Sequence, residues 1–285
     1  MMKKIMNRIY QKSAKLLIGT GISQNDQVRK FVQTMNSQLK PDFVELEGNK
    51  LYLDPNDSLS LSLYGYHEKT ETELVKQEIK PGDVVLDVGA NIGYYTLLFA
   101  KLVGPQGHVF AFEPEPKNFE LLTKNVNVNG YTNVTLIQKA VSNNTEIKNF
   151  YLTNKNTISH RLSKPDGECD SIKIETISLD NFLDNNNTIN FVKIDIHGSE
   201  GNAIKGMLSI LKKNETIKIL QEWWPDAIKE YNMDPENHLR ILNELGFSHY
   251  EVDDINNKIK KTSIKELMKK YPNSKIKDIN IFSKR

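Results

Sequence analysis

The stretch that most constrains the fold is Asp83-Val84-Val85-Leu86-Asp87, which runs directly into Val88-Gly89-Ala90-Asn91-Ile92-Gly93. A short unbroken apolar run of this kind reads as a strand buried on both faces. Gly89 and Gly93 then let the chain turn tightly and let a ligand approach the backbone. Leu97-Leu98-Phe99-Ala100 follows as helix. Strand, glycine turn and helix together form the opening unit of a doubly wound α/β sheet, whose ligands bind beyond the carboxyl ends of its strands.

The rest of the chain repeats that unit. Val109–Glu113, Val134–Ala140, Ile189–Asp195, Thr216–Glu222, Phe247–Asp253 and Ile279–Ser283 read as strands. Helices are expected over Lys117–Asn129 and about 200–212 and 234–245, and a helix containing Leu74, Val75 and Ile79 stops at Pro81-Gly82. Alternation of this kind implies a mainly parallel sheet with helices on both faces. Ahead of it, residues 42–54 alternate around Gly48-Asn49 and predict a β-hairpin. Ile147–Leu152 and Ile172–Thr176 flank a polar stretch and predict a small β insert over about 145–177. Residues 1–40 are mixed, basic and helix-compatible, and read as an N-terminal helical arm ahead of a domain over 41–285.

Composition narrows the partners. Of the 285 residues 38 are Lys or Arg and 36 Asp or Glu, a net charge of +2. Only five residues are Arg, so nucleic acid is not an expected partner. No segment has the ~18 apolar residues of a membrane span, and a cytoplasmic location is expected. Cys169 is the only cysteine, which excludes an internal disulfide and a cysteine-cluster zinc site. Its neighbours Glu168 and Asp170 disfavour a reactive thiolate.

The glycine turn carries the strongest chemical signal. Asp87 sits at the strand end, where it can hold a cationic group, cap a helix or close a turn. Asn91 replaces the middle glycine of the common dinucleotide fingerprint. Glu113 ends the next strand, where an acid can accept both ribose hydroxyls. S-adenosylmethionine fits this set at least as well as NAD. It has no pyrophosphate to place on a helix N-terminus, and its ammonium and sulfonium favour acidic neighbours.

The motifs Asp87-Val-Gly-Ala-Asn-Ile-Gly-Tyr-Tyr95, Ala111-Phe-Glu-Pro-Glu-Pro116 with Asn118-Phe119, and Lys193-Ile-Asp-Ile-His-Gly-Ser-Glu200 resemble, in this order, the FkbM-type methyltransferases. The resemblance runs from about Leu51 to the C-terminus. It implies a class I, seven-stranded Rossmann-like methyltransferase sheet and S-adenosylmethionine as methyl donor. It implies that Asp87, Gly89, Asn91 and Gly93 wrap the methionine end, that Glu113 holds the ribose, that Ala140-Val141 meets the adenine, and that Ala90 and Pro114 also bind the cofactor. Tyr64 and His67-Glu68 match a segment that lies over the cofactor.

On the acceptor side, the resemblance places Asp195 at the end of the fourth strand, facing the transferring methyl. His197 stands where the family usually has an acidic residue. Asp195 and His197 are two apart and point the same way if strand geometry persists. Glu222 ends the fifth strand beside Trp223-Trp224. Asp195, His197 and Glu222 are therefore the expected catalytic group. His197 reads as a general base or acceptor contact at neutral pH, as a partly buried hydrogen-bonded histidine, or as a metal ligand; Asp195 holds it or is itself the base, and Glu200 complements a helix dipole. A divalent metal is compatible with Asp195, but no metal ligand is assigned. The two tryptophans read as core or pocket wall, with a stacked sugar as the alternative. His160 and Arg161, in the polar insert, either cover the site or belong to a solvated loop. The expected acceptor is a hydroxyl of a small molecule or sugar, with homo-oligomer contacts expected through the arm. The competing readings are an NAD-dependent oxidoreductase and a non-catalytic binder of the same fold.

Overall fold

A computed structural model describes residues 40–152, 160–164, 169–183, 188–271 and 279–285. The expected arm over 1–40 lies, apart from Lys40, outside the described residues.

The predicted hairpin is present as β1 (Phe43–Leu46) and β2 (Asn49–Tyr52), antiparallel and turning at Gly48. Two helices, α1 (Leu61–Tyr64) and α2 (Lys69–Glu78), lead to β3 (Val84–Val88). Then follow α3 (Tyr94–Val103), β4 (His108–Phe112), α4 (Pro116–Val128) and β5 (Val134–Ile137). The insert holds β6 (Ala140–Val141), β7 (Glu146–Leu152) and β8 (Asp170–Ile177), and α5 (Leu179–Phe182) leads out of it. Next come β9 (Phe191–Ile194), α6 (Glu200–Lys205), α7 (Leu208–Lys213), β10 (Lys218–Trp223), α8 (Pro225–Glu230) and α9 (Asn237–Glu244). The chain closes with β11 (Ser248–Asp253), β12 (Lys258–Thr262), α10 (Ile264–Lys270) and β13 (Ile279–Lys284).

The main sheet has the order β12-β11-β13-β10-β9-β3-β4-β5. Five strands, β5 to β10 across β3, are parallel, and β13 runs antiparallel between β10 and β11. Seven of the eight strands follow the expected doubly wound pattern. The eighth, β12, was not expected: Lys258, Lys260 and Lys261 hide an exposed edge strand that pairs only with β11. Lysines on such an edge oppose pairing with another chain.

Strand side chains alternate between two cores. Val85, Ala111 and Phe191 join one apolar cluster with α3, while Leu86, Val88, Val192 and Ile194 join the other with α6 and α9. That two-sided burial explains why β3 and β9 read as continuous apolar runs. Two expectations are corrected. The strand expected to run to Ala140 stops at Ile137, and Ala140–Val141 instead pairs with β8 in a separate three-stranded sheet. The helix expected over 200–212 is two short helices, broken at Gly206–Met207. Among the described residues, no helix is long and apolar enough to cross a membrane.

Candidate active site

The chain winds outward from β3 through β4 to β5, then crosses back to β9 and β10 on the other side of β3. The carboxyl ends part at that switch point, which is where such sheets bind ligands. A cleft lies there, with an empty volume of ≈ 960 Å³ including open solvent. It is lined at one end by Gly89, Asn91, Glu113 and Pro114 and at the other by Asp195, His197 and Glu222.

At the first end, the glycine turn is fastened to β4. The N–H groups of Gly89 and Ala90 both donate to the Phe112 carbonyl, each at 3.0 Å. Gly89 has φ +88°, and a Cβ there would fall 2.0 Å from the Asp195 carbonyl oxygen. Only glycine lets the ends of β3 and β9 approach this closely. Asn91, at φ 50°, donates its N–H to Glu113 Oε2 at 2.8 Å, and the Glu115 N–H donates to Glu113 Oε1 at 2.8 Å. The Glu113 carboxylate is thus held by backbone on both oxygens, and each keeps a lone pair for a second donor. Burial pushes its pKa up to about 7, against the two N–H groups that favour its ionised form. Phe112, Val141 and Phe150 add apolar wall.

Three residues expected at the cofactor do not line the cleft. Asp87 is 1% exposed and accepts a hydrogen bond from Thr96 Oγ1 at 2.6 Å, beneath the turn. It faces the α3 side of the sheet with Val85, and its direct partner across the ladder is Lys193. Burial raises its pKa to about 6, opposed by Lys193. Ala90 spends its N–H on Phe112. Gly93 packs α3 on α4: a Cβ there would meet Leu122 Cδ1 at 2.7 Å. Glu68 and His67 do line the cleft, and Glu68 Oε2 accepts from Tyr95 Oη at 2.8 Å. Tyr64 is exposed and stands outside it.

At the other end, the strand geometry does not persist. β9 stops at Ile194, and His197 has φ 51° in a turn. Asp195 and His197 converge nonetheless, because the turn folds back: His197 Nδ1 is 3.9 Å from Asp195 Oδ1 and 3.0 Å from Glu222 Oε2. Glu200 is more than a dipole complement. Its Oε1 accepts the N–H groups of Ile196 at 3.1 Å and Gly198 at 3.2 Å, which fixes the turn that carries His197. Lys193 Nζ lies 2.8 Å from Asp195 Oδ2 and 4.5 Å from the Tyr95 ring centroid. Burial works to raise Asp195, but the Lys193 ammonium and His197 outweigh it and hold the carboxyl below its ordinary range. Burial dominates at Glu222 and raises it, although His197 pulls the other way.

The insert supplies a side wall through His160, Leu162 and Phe150. It is tied to the segment after β10. Tyr231 Oη accepts the N–H groups of Leu162 and Ser163, each at 3.1 Å, and Arg161 Nη1 lies 2.8 Å from Glu230 Oε2. His160 lines the cleft, and burial lowers its pKa. Trp223 is core: it is fully buried and its Nε1 donates to the Pro235 carbonyl at 2.9 Å. Trp224 and Cys169 are not among the lining residues. Phe150 and Ser199 line the cleft without having been anticipated. Ser199 lies inside the Lys193–Glu200 motif, which was the available signal. Phe150 had none, since only the folding back of β7 brings it there.

The profile of the family described as "Methyltransferase FkbM domain" matches residues 87–249, more than half of the chain. A second profile, described as "Protein-L-isoaspartate(D-aspartate) O-methyltransferase (PCMT)", matches residues 14–141 and stops before β9. Among curated proteins, the chain is similar to the hexuronic acid methyltransferase AglP of Haloferax volcanii. That match is 31% identical over 147 residues, 51% of this chain and 58% of the relative. It is similar to the 31-O-demethyl-FK506 methyltransferase FkbM of Streptomyces tacrolimicus, 56% identical over 48 residues, 17% of this chain and 18% of the relative. It is also similar to a protein-L-isoaspartate O-methyltransferase of Ignicoccus hospitalis, 42% identical over 60 residues, 21% of this chain and 28% of the relative. Each match spans less than two thirds of the relative's length.

Proposed function

The chain belongs to the FkbM methyltransferase family, and on that premise we propose that it transfers a methyl group from S-adenosylmethionine to a hydroxyl of a small molecule or glycan. The observation that carries this reading is one cleft with a ribose-type acid, Glu113, at one end and the Asp195–His197–Glu222 group at the other.

The residues present fit the cofactor. Glu113 offers two buried, oriented oxygens for a diol, and Phe112, Pro114, Val141 and Phe150 offer apolar surface for a base. Glu68 and Asp195 offer negative charge for a cationic methionine end. When bound, S-adenosylmethionine supplies a methyl on a sulfonium that needs no further activation. The chain must then align an acceptor and take its proton. Glu222 engages the imidazole of His197 at Nδ1, and His197 takes the hydroxyl proton. Asp195, kept ionised by Lys193, stabilises the imidazolium.

The hexuronic acid methyltransferase and the 31-O-demethyl-FK506 methyltransferase among the relatives support a sugar acid or a small molecule as acceptor. The isoaspartate profile ends at Val141, before any of the three acceptor-side residues. It therefore bears on the cofactor half alone.

Calorimetric titration with S-adenosylmethionine, S-adenosylhomocysteine and NAD tests the reading. Micromolar-range binding of the first two and none of NAD is expected; binding of NAD alone would sink it. Methyl-labelled S-adenosylmethionine with a panel of sugars and uronic acids then identifies the acceptor.

A further inference from the structure

Asp195, His197 and Glu222 each present one ligand atom, and these three atoms all lie within 4.8 Å of one another. Atoms bound at ~2.1 Å to one octahedral ion sit ~3 Å apart when adjacent. His197 Nδ1 and Glu222 Oε2, at 3.0 Å, already have that spacing. Asp195 Oδ1, 3.9 Å from the same nitrogen, reaches it by a shift of about an ångström. Lys193 holds the other oxygen of Asp195, and Glu200 holds the turn that carries His197.

A second observation comes from the same turn. Ser199 is 1% exposed and lines the cleft, and its Oγ has no hydrogen-bond partner among the described residues. A buried hydroxyl is costly without a partner. An oxygen bound to an ion beside His197 would supply one.

We propose that Asp195, His197 and Glu222 bind a divalent cation of the Mn²⁺ or Mg²⁺ class, whose remaining positions take two adjacent oxygens of the acceptor. One imidazole with two carboxylates suits these ions. Three protein ligands leave room for a vicinal diol or a hydroxy acid to chelate. The proposal rests on reading this end of the cleft as the acceptor site, and it changes one part of that reading. With the cation bound, His197 serves as a ligand through Nδ1. The acceptor hydroxyl is acidified by the cation, its O–H bond breaks, and the proton passes to solvent water while the oxygen stays on the metal.

Mn²⁺ alone, titrated into the full chain and followed by the electron paramagnetic resonance of the free ion, tests this. One site per chain is expected. It should be weakened at least tenfold in Glu222→Gln and in His197→Ala, and less in Ser199→Ala. Glu222→Gln preserves shape, and circular dichroism confirms that each variant is folded. Failure to bind Mn²⁺, or equal binding by wild type and Glu222→Gln, would overturn the site. S-adenosylhomocysteine titrated into the same samples separates the two readings. Its binding without Mn²⁺ binding removes the cation and leaves the cofactor reading; the converse removes the cofactor reading and leaves the cation.

Discussion

Glu222 Oε2 lies 3.0 Å from His197 Nδ1, across the ends of two neighbouring parallel strands. Neither residue would be placed by its own strand alone: Glu222 is within β10, and His197 is in the turn after β9. Replacing Glu222 by Gln keeps the volume and removes the carboxylate. Turnover should fall by about 10–10²-fold, matching the roughly 1.5–3 kcal/mol of a hydrogen bond to a charged group. S-adenosylhomocysteine affinity should stay within about twofold, because the cofactor end of the cleft is untouched. Steady-state kinetics beside calorimetry checks both halves.

Glu113→Gln should show the opposite pattern. Its carboxylate accepts two backbone N–H groups at 2.8 Å. A Gln amide nitrogen on either side would face one of those donors and leave it unsatisfied, at about 1–3 kcal/mol. Cofactor affinity should drop by about tenfold or more, with a lower melting temperature. Calorimetry and thermal unfolding read the two effects.

Glu71 predicts a pH dependence of stability. It is buried, one oxygen accepts from Asn280 Nδ2 at 2.9 Å, and Oε2 has no partner among the described residues. Burial, with Glu68 nearby, pushes its pKa from 4.5 to about 8. Below pH 4.5 the folded and unfolded chains are both protonated there. As pH rises towards 8 the unfolded chain loses the proton while the folded chain keeps it, so stability falls over that window. Glu71→Gln should remove this part of the decline. Its melting temperature should exceed that of wild type by more at pH 8 than at pH 5.

Tyr231→Phe should loosen the insert without touching the cofactor. The lost hydroxyl accepts from Leu162 and Ser163. The cost is about 1–3 kcal/mol, because two part-buried N–H groups lose their acceptor. Faster amide exchange at residues 162 and 163 is expected, with a raised KM for the acceptor.

How much of this was legible in the sequence depends on range. β3, its glycine turn and α3 are local: an apolar run, two glycines and a helical stretch define them without help from elsewhere. The short edge strand β12 was missed because Lys258, Lys260 and Lys261 mask its period, and pairing with β11 alone creates it. Ala140–Val141 reads as the tail of β5, yet hydrogen bonds to β8, thirty-odd residues later, pull it into another sheet. Glu113, Asp195, His197 and Glu222 were expected together because each follows or ends a strand whose carboxyl end faces one crevice, and the four line one cleft. Asp87 was expected to meet the ligand for the same reason. Strand alternation instead turns it towards Thr96 and α3, a distinction of one face that spacing alone did not resolve. Glu200 was read as a helix-end charge, since its reach back to Ile196 and Gly198 depends on a turn with positive φ.

The contact between Gly89 and the Asp195 carbonyl sets a gauge. With a Cβ at position 89 only 2.0 Å from that oxygen, and φ at +88°, Gly89→Ala should cost about 2–5 kcal/mol from strain and overpacking together; thermal unfolding measures it. The seam joins the loop at the donor end directly to the strand end that carries the acceptor-side residues. No side chain intervenes whose length could be traded to widen or narrow the gap. On the proposed reading, the donor and acceptor ends of the cleft thus stand at a spacing set by backbone. Adaptation to larger or smaller acceptors must come from the outer wall, where His160, Leu162 and Phe150 can be exchanged while that distance stays fixed.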